Sequence, residues 1–400
     1  MSALRQYLNK IKPKFEKDGK LHAFHSVFDG FETFLYVPNK TARAGGVNIH
    51  DAIDSKRIMS VVVLALMPAL LFGMYNVGYQ NYLAAGTLAT AGFFEIFFYG
   101  FLAVLPKILV SYIVGLGIEF AWAQWKGEEI QEGFLVSGIL IPMIVPVNCP
   151  LWVLAIAVAF AVIIGKEIFG GTGMNIFNPA LICRAFLFFA YPTVMSGDKV
   201  WVSSEKILGM GNDLNTMAAN ASSTVDAYTQ ATPLAEVAQG VNPVDTGTSL
   251  CDMICGFIPG SIGETSVIAI ALGGLLLLIT GIASWKTMLS VFVGGALTAA
   301  LFEGIGNTPI TWYEHLVLGG FAFGAVFMAT DPVTSARTET GKWIYGLLIG
   351  VMAIVIRVMN PGYPEGMMLA ILLMNMFAPT IDHFVVERNI SKRMKRGGTK

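Results

Sequence analysis

Ten stretches of this chain are apolar over lengths at or near what a lipid bilayer requires, and this limits the fold more than any single motif does. They fall near residues 58–78, 99–124, 133–147, 150–165, 179–193, 265–284, 287–304, 314–330, 343–358 and 366–381. A hydrocarbon core is about 30 Å thick and takes about 20 helical residues to cross. Charged residues make up only 13% of the 400, against roughly 25% in a soluble domain. The expected fold is an all-α polytopic membrane protein with about ten transmembrane helices. Several runs are too short to cross unaided. The third, GFLVSGILIPMIVP, carries two prolines, and the eighth runs GGFAFGAVFMATDP. Both read as helices broken inside the protein, which is tolerated only where the break is buried or lines a cavity.

Residues 1–57 hold ten of the 26 Lys and Arg residues, and residues 383–400 hold six. By the positive-inside rule both ends are expected in the cytoplasm. That requires an even number of spans and divides the chain into a cytoplasmic segment 1–57, a first five-helix run 58–193, an extracytoplasmic loop 194–264, a second five-helix run 265–382 and a basic tail 383–400. The start, MSALRQYLNKIKPKFEKDGK, has no apolar core and is not a signal peptide. The net charge of -1, with no basic stripe away from the ends, argues against a nucleic-acid partner. Cys149, Cys183, Cys251 and Cys255 form neither a Cys-x-x-Cys pair nor a cluster with histidines. No zinc or iron–sulfur site is expected, and the cysteines read as packing or loop residues.

A weak internal repeat relates the two runs of five. NIFNPA at 175–180 leads to AFLFFAYP, and RVMNP at 357–361 leads, after an insert, to LLMNMFAP. Units with an odd number of spans insert in opposite directions, so the halves are expected to be inverted repeats with a site near their interface. Such an architecture suits a transporter or a transport-coupled redox subunit.

Charges inside the apolar runs are the next constraint. An isolated carboxylate costs about 2.5–3.5 kcal/mol in the bilayer centre and points to a partner or an ion path. Glu119 lies within YIVGLGIEFAWAQW and Asp382 closes the last run; both fall near the cytoplasmic ends of their spans, and hard oxygen ligands suit an alkali cation. An ion pair with Arg388 is the competing reading for Asp382. Glu303 and Arg357 are expected at the membrane interface.

The long polar loop contains DAYTQATPL at 226–234. Thr232 followed by Pro233 reads as a helix N-cap with proline at the first helical position, and such a helix start also suits a phosphate attached there. The pattern Asp226-x-x-Thr229-x-Ala231-Thr232 resembles the Asp-x-x-(Ser/Thr)-Gly-Ala-Thr flavinylation motif, with Gln230 in place of glycine. Beyond it, GKEIFGGTGMNIFNPAL, RAFLFFAYP, IPGSIGE, HLVLGGFAFG, FMATDPV, NPGYPEGMMLAIL and DHFVVERNI are similar to the B-type family of Na+-translocating NADH:quinone oxidoreductase subunits. The D-type subunits of Rnf ferredoxin:NAD oxidoreductase complexes are related and form the alternative, but the basic N-terminal extension and the ERNISKRMKR tail favour the B type.

The resemblance implies a translocase subunit of the bacterial inner membrane that works with other subunits of its complex and is matured by a flavin transferase. It implies FMN joined through its phosphate to Thr232, with Asp226, Thr229 and Ala231 completing the motif, a noncovalent riboflavin between the spans, and ubiquinone as electron acceptor, coupled to Na+ transport. NADH oxidation belongs to another subunit, and no Gly-x-Gly-x-x-Gly loop stands here. Asn175, Asn178 and Asp331 offer polar groups suited to riboflavin; they serve equally well as caps of broken helices. The family's quinone-linked glycine pair falls on Gly115 and Leu116, with Gly117 beyond, and close helix packing is the other use for such glycines. Its ion-linked acids fall on Glu119 and Asp382. A secondary transporter without redox chemistry would also have inverted repeats, yet leaves the polar loop and its threonine motif unexplained.

Overall fold

The computed structural model describes residues 3–15, 24–36, 55–127, 133–195, 200–216, 231–360 and 362–397. Among these, regular structure is helical apart from one isolated bridge between Ile207 and Met210. Six helices are long and apolar enough to cross a membrane, and three shorter apolar helices accompany them. Together with the six-residue helix Trp312–Val317 they are, in chain order, α1 (Ser55–Ala84), α2 (Phe93–Lys126), α3 (Phe134–Ile144), α4 (Leu151–Gly165), α5 (Pro179–Ala190), α6 (Val267–Ile279), α7 (Trp285–Ile305), α8 (Trp312–Val317), α9 (Glu339–Met359) and α10 (Met367–Gly397). Each expected run maps onto one of them.

The two expected breaks are real. α3 has 11 residues, about 16 Å at 1.5 Å per residue, and the chain turns extended at Val145 (ψ 155°) just before Pro146. The eighth run divides into α8, an extended link at Leu318 (ψ 142°) and a buried segment Phe321–Met328 that winds as a π-helix from Gly324. Side-chain caps satisfy free N–H groups where helices begin inside the protein. Asn178 accepts from Ala180 N–H at the start of α5 (2.9 Å), Ser266 from Ala269 N–H at α6 (3.3 Å), and Thr338 from Gly341 N–H at α9 (3.1 Å).

The two groups of five have most of their packing in common, although α1 also packs on α2 and no comparable contact joins α6 to α7. In the first, α2 packs on α3 and α4, α4 on α5, and α3 on α1 and α5; in the second, α7 packs on α8 and α9, α9 on α10, and Phe321–Met328 on α6 and α10. α1 meets α6 across the divide, and α5 meets α10. Small residues let α7 and α9 approach closely. A Cβ on Gly346 would stand 2.0 Å from Ser290 Oγ, and one on Gly350 would stand 2.2 Å from the Val291 carbonyl oxygen, the tight spacing that small-xxx-small patterns permit. One end of the molecule gathers Lys166, Asn178 and Asp331 into a cleft; the other carries Thr232.

Candidate functional site

Thr232 lies where the polar loop rejoins the helical body. Its backbone is extended (φ -75°, ψ 148°), Pro233 opens the helix Pro233–Ala238, and Thr232 Oγ1 accepts from Ala235 N–H at 3.2 Å. The sequence-based capping role is therefore present. Leu234 pins this turn by packing with Met253, Ile258, Ile310 and Leu318. Ala231 is buried beside it. Asp226 and Thr229 lie outside the described residues.

Thr232 opens onto a cleft of about 860 Å³, mouth included, walled in part by Phe188, Trp201 and Tyr363. Aromatic side chains of this kind commonly line cofactor sites. Arg184 forms part of its lining. This buried guanidinium donates to Glu264 Oε1 at 2.7 Å and also to Glu365, so it ties α5 to the loop before α6 and to the α9–α10 connection. One guanidinium serves two carboxylates. Burial pushes the Glu365 carboxyl up to about 7 against the pull of Arg184, and Glu264 adds to the rise. Arg357, in the last turn of α9, is 4% exposed and buried within the protein. It donates to the carbonyl oxygens of His315 (2.6 Å), Leu318 (3.2 Å) and Glu365 (3.3 Å); two of these acceptors are freed by the break after α8, which is why the cation sits inside. Glu303 is exposed and accepts from Trp312 N–H at 2.9 Å.

At the opposite end the structure brings Asn175, Asn178 and Asp331 into one cleft of about 740 Å³, mouth included, with Ser137, Lys166 and Thr330. Asn175 closes its own turn, accepting from Gly173 N–H (3.2 Å) and donating to the Phe177 carbonyl (2.9 Å). Asn178 caps α5 and donates to Asp331 Oδ2 at 3.3 Å. Asp331 further accepts from Val333 N–H (3.1 Å) and the Thr334 hydroxyl (3.0 Å). These side chains are caps and cleft walls at once.

Glu119 and Asp382 have different surroundings. Glu119 is buried and ion-paired with Lys166. Asp382 accepts from Arg337 N–H (2.7 Å), Thr338 N–H (3.0 Å) and the Thr338 hydroxyl (2.6 Å); it anchors the start of α9, and no ion pair joins it to Arg388. Gly115 is a packing glycine, since a Cβ there would stand 1.9 Å from the Phe134 ring. Leu116 is half-buried, and Gly117 has open space around it. Sequence reasoning passed over Arg184, Lys166, Glu264 and Glu365. The available signal was Arg184 itself, a permanent cation inside an apolar run, which requires a buried acid partner.

The helices define an all-α polytopic membrane protein with a threonine lining an aromatic-walled cleft at one end. The chain belongs to the NQR2, RnfD, RnfE family, whose model matches residues 43–391. It is 46% identical to the B-type subunit of the Na(+)-translocating NADH-quinone reductase of Chromohalobacter salexigens, over 98% of this chain and 96% of that protein. The B-type subunits of the reductases of Azotobacter vinelandii and Pseudomonas paraeruginosa are 44% and 43% identical, over 98–99% of this chain and 99–100% of theirs.

Proposed function

We propose that this chain is the B-type membrane subunit of a Na+-translocating NADH:quinone oxidoreductase, carrying FMN on Thr232 and a noncovalent riboflavin and passing electrons to ubiquinone. The observation that carries the reading is the place of Thr232: the last residue of the flavinylation-like motif lines the cleft, and near-full-length relatives bear the reductase name. The residues fit such a group. The Thr232 backbone is fixed by its cap, the aromatic wall suits a flat ring system, and Arg184 with its two carboxylates ties together the elements that form the cleft. The flavin supplies the electron chemistry when bound; the chain supplies position and insulation.

In this reading the two matched groups of five are inverted repeats of residues 58–193 and 265–382, joined by an extracytoplasmic loop, with both termini in the cytoplasm. The cleft of Asn175, Asn178 and Asp331 at the repeat interface takes riboflavin, Glu119 and Asp382 belong to the Na+ path, and the Gly115–Leu116 region of α2 lies by the quinone. Other subunits deliver electrons from NADH, and a flavin transferase attaches the FMN.

The test is chemical. Protein made together with a flavin transferase is expected to keep a flavin spectrum after denaturation, and the peptide around residues 226–236 is expected to be heavier by FMN minus water. Thr232→Val is expected to remove both signals. Flavin that persists in Thr232→Val, or that maps to Thr229, would overturn the assignment.

A further inference from the structure

α9 and α10 run side by side and leave a groove of about 730 Å³, mouth included, beside the first turns of α9. Thr340 and Ile344 of α9 form one wall. Ile381, Phe384, Arg388 and Lys392 form a single stripe along α10, because residues three and four apart share a helix face. The stripe changes from apolar to cationic along its length, and its apolar part is open, with Ile344 42% and Phe384 65% exposed.

The depth of that change can be read from the aromatic residues beside it. Trp285 and Trp343 meet edge to face with centroids 5.8 Å apart and are both exposed. Tryptophan favours the boundary between hydrocarbon and headgroups. Ile344 follows Trp343 and shares the groove with Phe384, so both lie at the boundary. Arg388 is one helical turn further along α10, about 6 Å beyond Phe384, and headgroups occupy roughly the 5–7 Å outside the hydrocarbon. Lys392, one turn further, reaches back with a flexible chain.

The cations are also unspent. Neither Arg388 nor Lys392 has an ion pair among the described residues, while the carboxylates around them are engaged. Asp382 caps α9, Glu339 pairs with Lys286 and Lys342, and Glu387, which does not line the groove, lies 3.3 Å from His383 Nε2. Two free cations at headgroup depth, joined to an open apolar trough at hydrocarbon depth, match one kind of molecule. We propose that this groove is a binding site for a phospholipid of net negative charge, its phosphate held by Arg388 and Lys392 and an acyl chain laid along Ile344, Ile381 and Phe384. The site does not depend on the redox reading of the Thr232 cleft.

Native mass spectrometry of the full-length, detergent-purified protein tests it, with phosphatidylglycerol and phosphatidylcholine added in equal amounts. The wild type is expected to retain phosphatidylglycerol over phosphatidylcholine by on the order of tenfold. Arg388→Gln/Lys392→Gln is expected to lose that preference, and Arg393→Gln/Arg396→Gln to keep it. Ile344→Asn, which leaves the cations in place, is expected to lower retention as well. Equal retention of the two lipids by the wild type, equal loss in both charge variants, full retention in Ile344→Asn, or displacement by millimolar inorganic phosphate would each overturn the proposal, the last by marking a site for a free anion.

Discussion

Lys166, at the end of α4, closes an ion pair with Glu119 of α2 inside the protein, and the second carboxylate oxygen of Glu119 has no hydrogen-bond partner among the described residues. The ammonium thus stands against the carboxylate that the proposed Na+ path uses, and a cation arriving at Glu119 meets a tethered one already there. Removing only the lysine strands a buried negative charge, which typically costs about 3–5 kcal/mol. Lys166→Met is expected to destabilise the protein by that order in thermal or denaturant unfolding. Glu119→Gln/Lys166→Met should recover most of the loss, because neither charge then remains. A double variant no more stable than Lys166→Met would show that the lysine acts otherwise.

For the ion path itself, Glu119→Gln and Asp382→Asn are expected to raise the Na+ concentration needed for half-maximal quinone reduction by the assembled complex, with flavin content unchanged. Asp382 has a second duty at the start of α9, where it accepts three hydrogen bonds. Asp382→Asn sets an amide against some of those donors and should cost about 1.5–3 kcal/mol of stability. The Na+ titration therefore belongs at a temperature where the variant is folded. Unchanged Na+ dependence in both variants would remove these residues from the path.

Gly115 and Gly117 separate packing from quinone contact. Gly115→Ala pushes a methyl into the Phe134 ring, and overpacking of this kind costs about 1–3 kcal/mol. Gly117→Ala meets nothing within 4 Å and, inside helix α2, should leave stability unchanged or raise it by about 0.4–1 kcal/mol. The expected pattern is a stability loss confined to Gly115→Ala. A Gly115→Ala protein of full stability with weakened quinone reduction would point to direct contact instead.

The Arg184 cluster makes stability depend on pH. Burial raises the Glu365 carboxyl to about 7 from a usual value of 4.5. A group whose folded value is raised favours the folded state while protonated, and that contribution disappears as pH rises from the unfolded value through the folded one. The melting temperature of the wild type is therefore expected to fall between about pH 4.5 and 7 relative to Glu365→Gln, which cannot titrate. Parallel profiles for the two proteins would mean that Arg184 keeps Glu365 ionised throughout.

The sequence revealed the spans because apolar length is a local property. It also revealed the breaks in α3 and after α8, since Pro142, Pro146 and the glycines of the eighth run are local signals too. The partners of the buried charges were not legible. Glu119 finds Lys166 47 positions away, and Arg184 finds Glu264 and Glu365 at 80 and 181 positions; only tertiary packing joins them. The partners of Arg357 were hidden for the same reason, because its acceptors are carbonyls released by a break in another helix. The motif around Thr232 was legible, whereas the cleft it faces is assembled from α5, the loop before α6, the link after α8 and the α9–α10 connection.

Asn178 joins the two groups of helices at the cleft opposite Thr232, and its amide uses both ends: the oxygen caps α5 and the nitrogen donates to Asp331. Asn178→Asp keeps the cap, since a carboxylate is as good an N-cap acceptor as an amide. It also places a second carboxylate where the amide nitrogen stood, 3.3 Å from Asp331 Oδ2. Two carboxylates that close cannot both ionise without strain, so one takes up a proton or the cleft opens. Asn178→Ala instead loses the cap, worth about 1 kcal/mol, and leaves Asp331 with its Val333 and Thr334 donors. If the cleft holds riboflavin, Asn178→Asp should release noncovalent flavin on purification more readily as pH rises, while flavin bound to Thr232 stays in place. Asn178→Ala should show a smaller loss without that pH dependence. Equal noncovalent flavin in Asn178→Asp and wild type at every pH would separate riboflavin from this cleft and leave Asn178 as a cap alone.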